Sequence, residues 1–192
     1  MDGVDRRSTV VNATMTATAP RASDASWERF EALYRSSRDD VYAYVATLLR
    51  DCAAAEDVTA LAFERAYRRR RSFDRALGSE RAWLFGIARN AALDELRRRR
   101  RHARLAGDPQ DPASVDGLVV DDEMADDALQ RAALRAALDR LAPRERELVA
   151  LKFHAGLANA EIARVLGTSE TNAGTMLHRA IERLRKACHE IS

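Results

Sequence analysis

A chain of 192 residues, 46% hydrophobic and 32% charged, suits one or two small domains, each just large enough to bury its own core. With 8 glycines, 4 prolines and little alternation of β-branched residues, it reads as an all-α protein, and no apolar run is long enough for a membrane helix. The formal net charge of +2 conceals an uneven distribution, with acidic residues crowding the middle and arginines the stretches on either side.

Residues 1–23 are rich in Thr, Ala, Ser and Val without a helical period, which predicts a disordered tail. Asp24 or Ser26 can cap a first helix carrying Trp27, Phe30, Leu33 and Tyr34 on one face. A second helix from about Arg38 turns Val41, Val45, Leu48 and Leu49 inward, so the two are expected to form a hairpin. A third, from about Ala53 to Arg71, has the stripe Val58, Ala62, Phe63 and Ala66, with Glu56 and Asp57 placed in its first turn, where carboxylates suit the helix dipole. The span Ser72 to Ser79, with Asp74 and Gly78, breaks the period and reads as a loop. A fourth helix completes a helical unit over 24–104.

That fourth helix, Arg81 to Arg104, carries the sharpest chemistry of the unit. Trp83, Leu84, Ile87, Ala88, Ala91, Ala92 and Leu96 recur at helical spacing, while Arg89, Asn90, Asp94 and the run Arg97, Arg98, Arg99, Arg100, Arg101 fall largely outside the stripe. A helix anchored on one side and basic on the other suits a polyanion, because arginines that neutralise phosphates release condensed counterions. Asn90 can offer a donor and an acceptor to a base edge, and neighbouring rings or guanidinium planes can stack on an unpaired base. Single-stranded DNA is therefore expected here rather than duplex.

Beyond Leu105 the character changes. Gly107, Pro109, Pro112 and Gly117 interrupt any helix, and acidic residues accumulate with no arginine or lysine before Arg131, so 105–122 reads as a flexible acidic linker able to mimic nucleic acid in a basic channel. A second unit over 123–192 opens with a helix striped by Leu129, Leu134, Leu138 and Leu141. Pro143 suits the first turn of the next helix, which carries Leu148, Leu151 and Phe153 inward. Asn159 to Leu166 forms a short helix, Gly167 a tight turn, and Ser169 the cap of a longer helix to about Ala187. Helix, glycine turn and helix at this spacing make a helix-turn-helix, whose second helix enters the major groove. With Ala173, Leu177, Ala180 or Ile181, and Leu184 inward, the residues left to face DNA are Ser169, Thr171, Asn172, Gly174, Thr175, His178 and Arg179, with Arg183 behind them for phosphates.

No Ser/His/Asp grouping, HExxH, P-loop or dinucleotide fingerprint is present, and His102, His154, His178 and His189 show no ligand spacing, so neither an enzyme nor a cofactor is expected. Cys52 and Cys188 have no CxxC partner and read as ordinary thiols of a reducing cytoplasm, with no metal.

Three stretches, AEDVTALAFERAYRR from Ala55, AWLFGIARNAALDELRRRRR from Ala82 and LAPRERELVALKFHAGLANAEIARVLGTSETNAGTMLHRAIERLRKA from Leu141, resemble bacterial sigma factors of the extracytoplasmic-function type, the minimal sigma-70 members that keep only regions two and four. The resemblance implies an initiation factor that directs core RNA polymerase to specific promoters and assists melting. It implies that Trp83, Arg89, Asn90 and their neighbours hold the melted −10 strand and that the second unit reads the −35 element as duplex. It also implies that Glu56, Asp57, Thr59, Phe63 and Arg65 dock on the clamp of the largest polymerase subunits, and that an anti-sigma factor is a partner. Two departures stand out. Ala60 and Leu61 replace residues that are commonly Gln and Glu, and Gly174 and Met176 occupy recognition-helix positions often basic in the family. Two other classes remain open at this point: a stand-alone helix-turn-helix repressor, which would shift duplex operator without polymerase, and a helical interaction adaptor, which would need no DNA.

Overall fold

The computed structural model describes residues 22–106, 132 and 134–191. The expected tail up to residue 21, the linker beyond Ala106 and the position of Leu129 lie outside the described residues. Ala22 and Ser23, assigned to the tail from sequence, are helical, as are Leu105 and Ala106 at the other boundary.

The expected N-terminal hairpin does not form. A single 28-residue helix, α1 (Ala22–Leu49), replaces the two expected helices. Nothing between Tyr34 and Arg38 forces a break: there is no glycine or proline, and the Ser36 hydroxyl donates to the Leu33 carbonyl within the helix, 3.2 Å away. The break comes at Arg50, which takes a left-handed conformation (φ 54°) and donates its N–H to the Ala46 carbonyl. The adjoining Asp51 caps α2 (Cys52–Arg69) by accepting from the Ala54 N–H at 3.1 Å, a bond that holds its carboxyl below the ordinary range. With the cap at Asp51, Glu56 and Asp57 sit in the second turn of α2 rather than the first. The helix then tightens through two 3₁₀ turns, Arg70–Ser72 and Arg75–Leu77, and α3 runs Glu80–Ala106.

These three helices bury Val41, Tyr44, Val45, Phe85 and Leu84 among a set of small residues, Ala46, Ala55, Ala62, Ala66, Ala88 and Ala92. Alanine at the crossings lets the helices approach closely. The larger side chains then fill the remaining space, where truncation of a buried Leu to Ala costs roughly 2–5 kcal/mol.

The second unit comprises a helical stretch over 134–139 (α4), α5 (Pro143–Phe153), α6 (Asn159–Leu166) and α7 (Glu170–Ile191). Pro143 stands in the first turn of α5, where its missing N–H costs nothing. Gly167 ends α6 with φ 66° and ψ 43°, and the Ser169 hydroxyl accepts from the Asn172 N–H to start α7, so the turn forms as its residues prescribe. Leu148, Leu151, Ile162, Leu166, Ala173 and Leu177 are buried as the periodicity requires. Phe153, expected inward, is 65% exposed, because α5 ends there and the following turn carries Ala155 and Leu157 into the core instead.

The two units share one core. Buried residues of α1, α2 and α3 form a single cluster with Leu148, Leu151, Leu157 and Ile162 of the second unit. The contact runs α5 against α1 and α6 against α3.

Candidate nucleic-acid interface

Asn90 is exposed on α3, one turn beyond Gly86 and Ile87, and borders a cleft of about 380 Å³. Trp83 forms part of the cleft wall, and the loop between α2 and α3 closes one side with Ser72, Phe73, Asp74 and Leu77. Phe73 packs on Trp83, ring centroids 5.6 Å apart, so the loop is fastened to α3 by an aromatic contact. The loop shape is set locally: the Asp74 carboxylate accepts from the Ala76 N–H at 2.9 Å, and Gly78, at φ 136°, supplies a backbone conformation that other residues rarely adopt. Sequence alone marks these loop residues only as a connection. The signal that could flag them is a lone Phe among arginines and serines, an apolar residue with no helical stripe to join.

The arginine run beyond Asn90 is largely committed. Arg97 pairs with Asp94, Arg98 with Glu95, and Arg99 with both Glu95 and Asp51. The two guanidiniums, Arg98 first, hold the Glu95 carboxyl below its ordinary range, offset in part by its burial. Asp94 also accepts from Arg65, placing that residue, expected on the polymerase face, against α3. Arg100 and Arg101 are exposed.

Arg89 is turned to a different task. Its Nε donates to Glu147 of α5 at 2.6 Å, with side-chain exposures of 18% and 9%, and Arg144 holds the other oxygen at 3.0 Å. The buried Tyr44 hydroxyl lies at 3.5 Å from the same carboxylate, and burial raises its pKa well above the ordinary value. Nearby, Arg81 donates to the carbonyls of His154 and Ala155 and pairs with Asp40. At the cleft itself, Arg164 of α6 reaches the Leu77 carbonyl, Ser79 donates to Glu161, and Arg164 and Val165 complete the lining. The second unit thus forms one wall of the cleft that Asn90 borders.

On α7, Thr171, Asn172, Thr175, His178 and Arg179 lie along one face, and all five are exposed. Their bonds are local: Thr175 donates to the Thr171 carbonyl at 2.9 Å and Asn172 to the Thr168 hydroxyl at 2.7 Å. Arg183 pairs with Glu145. Gly174 and Met176 lie to the side. A Cβ at Gly174 would meet the Asn159 amide at 3.4 Å, and Met176 packs partly buried against the core.

On α2, Glu56 and Asp57 are exposed, whereas Thr59 and Phe63 are buried, Phe63 against the Tyr34 ring at 4.8 Å. The Thr59 hydroxyl has no hydrogen-bond partner among the described residues. Thr59 and Ala60 face a cleft of about 430 Å³ between α1 and α2, shared with Tyr34, Tyr42 and Glu56.

Known proteins resemble this arrangement along most of its length. Residues 33–102 match the family described as Sigma-70 region 2, and residues 131–184 match Sigma-70, region 4. The ECF RNA polymerase sigma factor BldN of Streptomyces coelicolor is 34% identical over 91% of this chain, which spans 66% of BldN. The ECF RNA polymerase sigma factor SigL of Mycobacterium tuberculosis is 30% identical over 88% of this chain and 94% of its own. Among solved structures, the sigma factor RpoE in complex with the anti-sigma factor NepR, from Bartonella quintana, shares the fold with a TM-score of 0.69 at 20% identity, covering 83% of this chain and 96% of that one.

Proposed function

The chain belongs to the extracytoplasmic-function sigma factors of the sigma-70 family and is an RNA polymerase sigma factor, and from that premise we propose how its two units divide the promoter between them. The N-terminal unit takes one strand of the opened −10 element into the cleft bordered by Asn90, and α7 reads the −35 element as duplex. The observation that carries this reading is Asn90 itself: an exposed amide beside a Trp83–Phe73 aromatic wall, in a cleft of a size to accept one base. An amide can pair with a base edge on both its donor and its acceptor side, and an unstacked base held there offsets a few kcal/mol of strand-opening cost.

Trp83, Arg100 and Arg101 serve the unpaired strand with Asn90, and Arg89 joins them once released from Glu147. Arg97, Arg98 and Arg99 contribute charge through their ion-paired clusters. Thr171, Asn172, Thr175, His178 and Arg179 meet base edges and flanking phosphates in the major groove, with Ser169 ordering the first turn of the helix. Core RNA polymerase docks its clamp on the α1–α2 face through Glu56 and Asp57, around the cleft that Thr59 and Ala60 line. An anti-sigma factor acts as the regulatory partner. The protein works in the cytoplasm as a non-catalytic factor; among the described residues no helix is long and apolar enough to cross a membrane.

Transcription in vitro with core polymerase, together with 2-aminopurine fluorescence at the −10 element, tests the reading. Asn90→Ala is expected to lower opening about tenfold, the order expected when one base loses its side-chain partner, while −35 duplex binding stays unchanged. Undiminished opening by Asn90→Ala removes the base from this cleft.

A further inference from the structure

The arginines without a carboxylate partner among the described residues include a group gathered away from the Arg97–Arg101 run. Arg29 of α1 and Arg70, Arg71 and Arg75 of the α2–α3 loop line a cleft of about 480 Å³ with Ser26, Phe73 and Glu80. None of these four guanidiniums is in an ion pair among the described residues, whereas Arg65, Arg68, Arg81, Arg89 and Arg97 to Arg99 all are. Arg70 is fixed in place: its guanidinium lies 3.8 Å over the Tyr67 ring, one nitrogen donates to the Tyr67 carbonyl, and its buried Nε has no partner among the described residues. Among the described residues Glu80 is the one carboxylate lining this cleft, so the site carries a large excess of positive charge.

Phe73 belongs to both this cleft and the one that Asn90 borders. We propose that the arginine cleft binds a phosphodiester of the unpaired strand, the group flanking the base held on the other side of Phe73. Guanidiniums match phosphate oxygens in fork geometry, and a ring between a base site and a phosphate site fits the alternation of a nucleotide chain. The inference rests on the strand-capture reading above and adds to it the location of the backbone.

The test uses holoenzyme on forked promoter DNA with an unpaired −10 strand, comparing the parent with Arg71→Ala/Arg75→Ala, two exposed positions. The slope of log affinity against log salt is expected to flatten by roughly 0.7 for each phosphate of single-stranded DNA that an arginine no longer neutralises. Replacing the flanking phosphodiester by an uncharged methylphosphonate should weaken the parent and leave the double variant unaffected. Equal weakening of both, or an unchanged slope, overturns the proposal, as does inorganic phosphate binding at these arginines without any change in the DNA slope. Asn90→Ala separates the two readings: if it impairs opening while the arginine variant does not, only the phosphate site fails, and if neither has an effect, strand capture fails with it.

Glu147, whose side chain is 9% exposed, neutralises Arg89 across the two units. We infer that Glu147 stands in for DNA phosphate on Arg89 and holds the second unit over the strand cleft, so that the free chain is closed to single-stranded DNA. Arg164 at the Leu77 carbonyl and Glu161 on Ser79 extend the same contact to the cleft rim. Glu147→Gln is expected to raise the affinity of the free chain for an unpaired −10 strand at least about fivefold and to leave holoenzyme binding within about twofold, a differential of the size typical of coupled sites. Fluorescence transfer between labels at the exposed positions 64 and 185, both outside the proposed strand sites, should report separation when the chain with Glu147 intact binds that strand. Unchanged affinity of the variant, or strand binding without separation, overturns the inference; loss of strand binding in holoenzyme as well overturns strand capture itself.

Discussion

The strand-facing side of α3 and the recognition face of α7 look alike in sequence, each a helix with polar and basic residues opposite an apolar stripe, yet they are held very differently. The α3 face is tied up: Arg89 is paired with a buried glutamate of the other unit, Arg97 to Arg99 are paired within their own, and α6 supplies one wall of the cleft. The α7 face makes local bonds and stands open. Availability of a basic residue is decided by which carboxylate the fold brings to it, and the two DNA-reading faces therefore differ in whether binding must first displace something.

The strongest way to break this contrast is to remove the carboxylate altogether. Glu147→Ala leaves the mostly buried Arg89 charge unmatched, along with the more exposed Arg144, and losing one partner of a pair as buried as Arg89–Glu147 costs about 3 kcal/mol or more. Calorimetry should show a lower melting temperature and a transition that splits into two as the units part, with α7 still able to shift −35 duplex. A single unshifted transition would mean that the ion pair contributes nothing to stability.

The converse variant is Arg179→Ala on the open face. It should weaken −35 duplex binding by about 1–3 kcal/mol, roughly 5- to 150-fold, if the residue meets a base edge, while binding of the unpaired −10 strand is untouched. Equal weakening on both DNA forms would show that the two faces do not act separately.

Gly174→Ala sharpens the view of α7 as a self-contained element. Replacing a helical glycine gains up to about 1 kcal/mol, and the near neighbour of the new methyl among the described residues is the flexible Asn159 amide at 3.4 Å. Chemical denaturation should show this gain with DNA specificity retained; a loss of stability would mean that Asn159 cannot yield.

The smallest effect is on pH. His154, at the junction of the units, has its pKa lowered by burial, against an opposing pull from Asp40, with Arg81 bonded to its carbonyl and Arg146 lining the same cavity. Its folded-state value lies below the ordinary 6.5, so the unfolded chain binds the proton more readily. Its contribution is complete above that value and is lost as pH falls through the folded one. Melting temperatures at pH 7.5 and 5.5 should therefore converge in His154→Gln relative to the parent, and an equal slope in both would assign the acid sensitivity elsewhere.

Much of the local structure was legible. Gly167 and Ser169 specify a turn and a cap through their own backbone and hydroxyl chemistry, Pro143 marks a helix start, and the stripe Val58, Ala62, Phe63 and Ala66 could face only a core. Continuity of α1 was not legible, because two apolar faces in succession look the same whether a turn separates them or not. Phe153 was misplaced because its burial depends on where α5 ends, and the importance of Phe73 was hidden because a loop has no period to read.

Periodicity, caps and turn residues act over a few positions, so the sequence by itself determined an all-helical chain of two units with a helix-turn-helix at its end and an exposed amide on a basic helix. Charge pairing acts across space. Only the tertiary structure decided that Arg89 faces Glu147 58 positions away, that the cleft beside Asn90 borrows a wall from α6, and that the guanidiniums left unmatched among the described residues include those around Phe73. A buried ion pair requires two helices to meet in one register, and that register is set by the packing of their apolar faces, which no short stretch of sequence contains.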